Sequence, residues 1–174
     1  MEPISGSRAA AGLRQANAET QKSGPSKFDN LRANLDEKLA GNLPLPPEVK
    51  AISAEQKKIL ENDLRRKLES GKSPQDVVNT QMEQLRAGLA GVGQQVAATP
   101  KTSAFDPLRQ RLQSIEAQFN SSAQLVKNPG NLSDPKRLLD MQMQMYRLSQ
   151  NVEILSRAVG DAASGVKTIV QTQV

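Results

Sequence analysis

Cysteine and histidine are both missing from this 174-residue chain. Their absence removes thiolate and imidazole metal ligands, disulfides, thiol nucleophiles and the side chain that most often serves as general base near neutral pH. Catalysis would have to rest on carboxylates or lysines. The Asp and Glu residues, however, fall where helix caps or solvated helix faces would put them, so an enzyme is not expected and no cofactor or metal is assigned. Aromatic residues are also scarce, at 2% of the chain, and Phe28, Phe105, Phe119 and Tyr146 stand far apart. With 37% hydrophobic content the chain could hold one domain, but it lacks the bulky side chains that usually build a dense core.

The formal charge is +5 and the sequence pI about 9.6, yet basic and acidic residues are interspersed instead of forming a basic tract. Single-stranded nucleic-acid binders set stacking aromatics beside their charges, and this chain does not, so nucleic acid is not an expected partner. No apolar run approaches the roughly 18 residues needed to span a bilayer. The N-terminal residues also lack the apolar core of a Sec signal, so export would use another route. Two matches to the glycosylation pattern, at Asn120 and Asn131, are read as chance.

Residues 1–25 are rich in Ser, Ala, Gln, Asn and Gly and read as a disordered tail. Phe28, Leu31, Leu35 and Leu39 then fall at helical spacing, ahead of a stop at Gly41. The proline-rich stretch from Asn42 to Pro47 predicts an extended linker. Ser53 and Gln56 fit a capping box for a helix carried by Ile59, Leu60, Leu64 and Leu68 and stopped at Ser70-Gly71. Ser73-Pro74 opens another, carried by Val77, Val78, Met82, Leu85 and Leu89 until Gly88, Gly91 and Gly93 weaken it. Those glycines lack the strand before and the Lys-Ser/Thr after that a phosphate loop requires. A flexible linker running on to Thr99-Pro100 is expected in their place.

Asp106-Pro107 opens a further helix, with Asp106 as N-cap, faced by Leu108, Leu112, Ile115, Phe119 and Val126 and ended by Asn128-Pro129-Gly130. Ser133-Asp134-Pro135 repeats the opening device. The fold class expected is therefore all-α: a disordered tail over 1–25, short helices over 26–98, and over 99–174 a helical hairpin whose long amphipathic final helix packs in a helical assembly.

The final helix carries the strongest pattern. Leu138, Met141, Met145, Leu148, Val152, Leu155, Val159, Ala162, Val166 and Ile169 recur in alternating steps of three and four, a heptad seam for packing against other helices. Leu139, Tyr146 and Ile154 widen the stripe, so at least two neighbours are expected. The preceding helix spans about half the length of this one at roughly 1.5 Å per residue, which predicts that the uncovered seam meets other chains and that the free hairpin is loosely folded. Ala158, Gly160, Ala162 and Gly165 form a small-residue patch that reads either as close helix approach in an assembly or as a break into two helices. The polar side, with Gln142, Gln144, Ser149, Gln150, Asn151, Ser156, Ser164, Thr168 and Gln171, reads either as the lining of a conduit or as a solvated face.

The stretch from Leu132 to Val174 resembles the C-terminus of type III secretion inner-rod proteins, relatives of the needle subunits. The resemblance is carried by Asp134-Pro135 with Leu138-Leu139, by Tyr146-Arg147-Leu148-Ser149, by Ser156 to Val159, by Gly165-Val166 and by Thr172-Gln173. It implies a small helical subunit in the bacterial envelope, assembled with copies of itself between the export gate and the needle. It also implies contact with needle-subunit, export-gate and basal-body ring proteins, and export through the apparatus itself, guided by a tail such as residues 1–25. Absence of cysteine suits a chain that passes unfolded into the periplasm. Residues 26–98 exceed the short leader this family implies. A flagellar rod or rod-adaptor protein shares the architecture. A secretion regulator or chaperone-like adaptor would bind partner helices without polymerising.

Overall fold

A computed structural model describes residues 45–128, 130 and 132–171, together with positions 29, 30, 33, 34 and 37. The expected tail over 1–25 lies outside the described residues, as do Phe28, Leu31, Leu35 and Leu39 of the first expected helix. The five isolated positions in that region are helical and exposed. The remaining elements are α1 (Ala54–Glu69), α2 (Pro74–Ala97), a 3-10 turn (Ser103–Phe105), α3 (Asp106–Val126) and α4 (Pro135–Gln171). No strand occurs among the described residues, and the protein is all-α.

Local chemistry explains the starts. Ser53 Oγ accepts from the Gln56 N–H while Gln56 Oε1 accepts from the Ser53 N–H, both at 3.2 Å, which completes the capping box of α1. Gly71, at φ +85°, turns the chain after α1, a conformation that costs glycine nothing sterically. Ser73 Oγ caps α2 by accepting from the Asp76 N–H, and Pro74 supplies the first position. Asp134 Oδ1 accepts from the Lys136 N–H at 2.9 Å at the head of α4. The start of α3 differs from expectation. Asp106 is not its cap but its first residue, following the 3-10 turn, and its carboxylate pairs with Arg109 at 2.8 Å.

The expected linker from Gly88 onward is corrected. Helix α2 runs unbroken through Gly88, Gly91 and Gly93 to Ala97. The reason is apolar periodicity: Val78, Met82, Leu85, Leu89, Val92 and Val96 are all buried, in steps of four and three. Burying Val92 and Val96 is worth about 1.5 to 3 kcal/mol each, which exceeds the roughly 1 kcal/mol that each glycine costs. In α3 the buried series Leu108, Leu112, Ile115, Phe119, Ser122 and Val126 follows the same rule, and Phe105 extends it by one step. Three helices thus carry heptad seams, the pattern of a supercoiled bundle.

The most extensive contact of α4 is with α2, ahead of its hairpin partner α3. A contact between Gly88 and Val152 and a hydrogen bond from Ser156 Oγ to Gln95 Oε1 set α2 and α4 side by side and parallel. Leu64 of α1 belongs to the same buried cluster as the seams of α2, α3 and α4. The 37 residues of α4, about 55 Å long, continue through Gly160 and Gly165 as one helix.

Candidate functional site

The seam of α4 is the candidate site, and the described structure closes most of it. Leu138, Met141, Met145, Leu148, Val152, Leu155 and Val159 are all buried, as is Ala162. Val166 is half-buried against the same core, and the side chain of Ile169 lies outside the described residues. The expectation of an uncovered seam that must meet other chains is therefore corrected. That expectation gave α4 one neighbour, whereas α2, expected to break at its glycines, is long enough to form a second wall. The widening row behaves as predicted: Leu139, Tyr146 and Ile154 are half-buried.

The small-residue patch divides. Ala162 is buried and Ala158 packs against the core, but a Cβ at Gly160 or Gly165 would meet nothing within 4 Å. Within the chain, neither glycine is used for close approach. The close approach lies at Gly88, where a Cβ would sit 3.2 Å from Val152 Cγ1.

The polar side of α4 is corrected at two positions. Gln142 and Asn151 are fully buried and belong to neither a solvated face nor a lining. Asn151 has a specific task. Its Oδ1 accepts from the Val49 N–H at 2.8 Å, and its Nδ2 donates to the Val49 carbonyl. Val49 belongs to an extended strap, residues 45–52, that crosses the groove between α3 and α4. The Arg111 guanidinium donates to the Pro46 carbonyl at 3.0 Å and faces Glu48, and Arg147 donates to the Lys50 carbonyl at 2.7 Å. The described part of the proline-rich segment, Leu45 to Pro47, is extended and docked, with Leu45 against the core, and Asn42 to Pro44 lie outside the described residues. Prolines fix its backbone and leave carbonyls free of internal partners, which the hairpin's Arg and Asn side chains then engage.

Between strap and hairpin lies a shallow cleft of about 340 Å³ lined by Glu48, Lys50, Gln118, Ser121, Gln144 and Arg147. Its mixed charges converge on no reacting point, and among the described residues no Asp/Glu cluster could hold a metal ion. No helix among the described residues is long and apolar enough to cross a membrane.

Sequence reading missed Asn151, Arg111, Arg147 and the strap. One signal was present: Asn151 stands three residues after Leu148 and four before Leu155, on the apolar face of the helix, where a polar residue needs a partner. The continuation of the α2 heptad through Val92 and Val96 was legible as well.

Comparison with known proteins places this geometry. Residues 102–172 match the family described as type III secretion needle MxiH, YscF, SsaG, EprI, PscF, EscF. Neither the curated proteins nor the solved structures give a match. The match takes in the 3-10 turn, α3 and all of α4, and stops short of the strap, α1 and α2. That family is structural and non-enzymatic. Over its helical hairpin, residues 102–172, the chain is thus similar to the type III secretion needle family.

Proposed function

We propose that the protein is a structural subunit of the type III secretion inner rod, built by side-by-side packing of C-terminal hairpins into the conduit between export apparatus and needle. The observation that carries this reading is the coincidence of the needle-family match with the heptad hairpin of α3 and α4. Needle-family subunits self-assemble and are secreted through the apparatus. On this reading the partners are copies of the chain, the needle subunit, the export gate and the basal-body rings. The chain is exported through the apparatus and assembles in the envelope, with residues 1–25 acting as the export tail. The rod is preferred to the needle because the inner-rod resemblance of Leu132 to Val174 falls on the α4 end of the matched hairpin.

The test is isolation of secretion complexes from cells that carry a tagged chain. The tag is expected in the complex between export gate and needle, and deletion of the gene is expected to abolish needle formation. A tag absent from the complexes, with needles intact in the deletion strain, would overturn the reading. The second reading, a regulator or adaptor that does not polymerise, is favoured by one observation, the closed seam. It predicts that the chain accompanies secretion without joining the isolated complex.

A further inference from the structure

We infer that residues 45–97 are a cap, occupying in the free chain the flank of α4 that a second copy of the hairpin takes in the assembled state. The inference rests on the structural-subunit reading above.

Its first support is what the matched module contains. Residues 102–172 supply α3 and α4 alone, so the module by itself gives the seam of α4 one wall. The second wall is α2, which lies wholly outside the module and presents its own heptad row, from Val78 to Val96. A second hairpin presents heptad rows of the same spacing and the same aliphatic character in α3 and α4. The surface that α2 covers is therefore matched to a helix of this chain's own kind.

The second support is that the cap carries features that weaken its hold. Gly91 and Gly93 stand within α2 although a Cβ at either would meet nothing within 4 Å. They serve no close approach, and their effect is to make the helicity of α2 depend on its docking. The strap is fastened by polar contacts to its backbone from Arg111, Asn151 and Arg147, which water can replace. The closed form also buries in the cap itself Oε1 of Gln81, which has no hydrogen-bond partner among the described residues. Release of the cap relieves such a penalty. A released cap stays tethered at the connection before α3, where Arg109 donates to the carbonyls of Pro100 at 2.6 Å and Thr102 at 3.1 Å.

The natural absence of cysteine allows a direct test. Gly88→Cys with Val152→Cys places a unique pair across the α2–α4 contact, and Arg111→Ala with Asn151→Ala loosens the strap. Sedimentation velocity on the full chain is the readout, with helicity followed by circular dichroism. The loosened chain is expected to associate at about tenfold lower concentration than the native one, and oxidation of the cysteine pair in that background is expected to return it to a monomer. A loosened chain that keeps native helicity yet stays monomeric overturns the cap. So does an oxidised chain that associates as readily as its reduced form, a comparison that holds even where loosening impairs folding. If these results go against the cap while tagged native chain is present in isolated secretion complexes, the cap falls and the subunit reading stands. Native chain absent from those complexes removes both.

Discussion

Asn151 and Val49, 102 positions apart, are joined through both backbone groups of Val49: one carboxamide accepts the N–H at 2.8 Å and donates to the carbonyl at 3.4 Å. A buried side chain that pairs with both the N–H and the carbonyl of one residue fixes the strap in register without reading its side chains. Truncation leaves the Val49 groups at a part-buried site without that partner. Asn151→Ala is expected to cost about 1 to 3 kcal/mol in urea unfolding. Ser149→Ala, at an exposed position of the same helix, is expected to stay within about 0.5 kcal/mol.

Leu155 is 1% exposed and sits in the seam between α4 and its neighbours. Leu155→Ala is expected to lower stability by about 2 to 5 kcal/mol, read from the denaturant midpoint. Leu155→Asp should leave no cooperative transition at all, because the charge is buried inside the single chain. Ile59, 60% exposed on α1, provides the contrast, and Ile59→Ala should change stability little.

The glycines of α2 separate by what surrounds them. Gly91→Ala and Gly93→Ala are each expected to raise stability by about 1 kcal/mol, since the added methyl meets nothing and helix propensity improves. Gly88→Ala is expected to gain less, because its methyl presses on Val152 at 3.2 Å. Thermal melts of the three single variants check the order.

Gln142 is fully buried, and neither of its amide atoms has a hydrogen-bond partner among the described residues. Gln142→Leu, similar in volume and without polar atoms, is expected to stabilise the free chain by about 1 to 3 kcal/mol in the same denaturant assay. An unchanged or lower midpoint would mean that the amide is satisfied in solution.

The helices were legible in the sequence where two signals coincide. Ser53 with Gln56, Ser73 with Pro74, and Asp134 with Pro135 each stand at the head of an apolar series, and each marks a helix start. The seam of α4 was legible down to single residues because side chains at 3.5-residue spacing share a face whatever covers them. What covers them was not legible. Propensity at Gly88, Gly91 and Gly93 argued for a break, and the heptad continued by Val92 and Val96 outweighs it once their burial is counted. The strap escaped notice because its bonds join backbone to distant side chains, a relation that leaves no periodic trace. An intramolecular wall and a neighbouring subunit also place the same demand on α4, namely an apolar row at heptad spacing.

The central claim is that α2, not another copy, buries the seam in the free chain. Urea unfolding followed by circular dichroism over about a hundredfold range of chain concentration tests it most directly, since stability supplied by a partner subunit depends on concentration. A single cooperative transition with a constant midpoint is the result expected. A midpoint that rises with concentration, or a dilute chain with no cooperative transition, would contradict it.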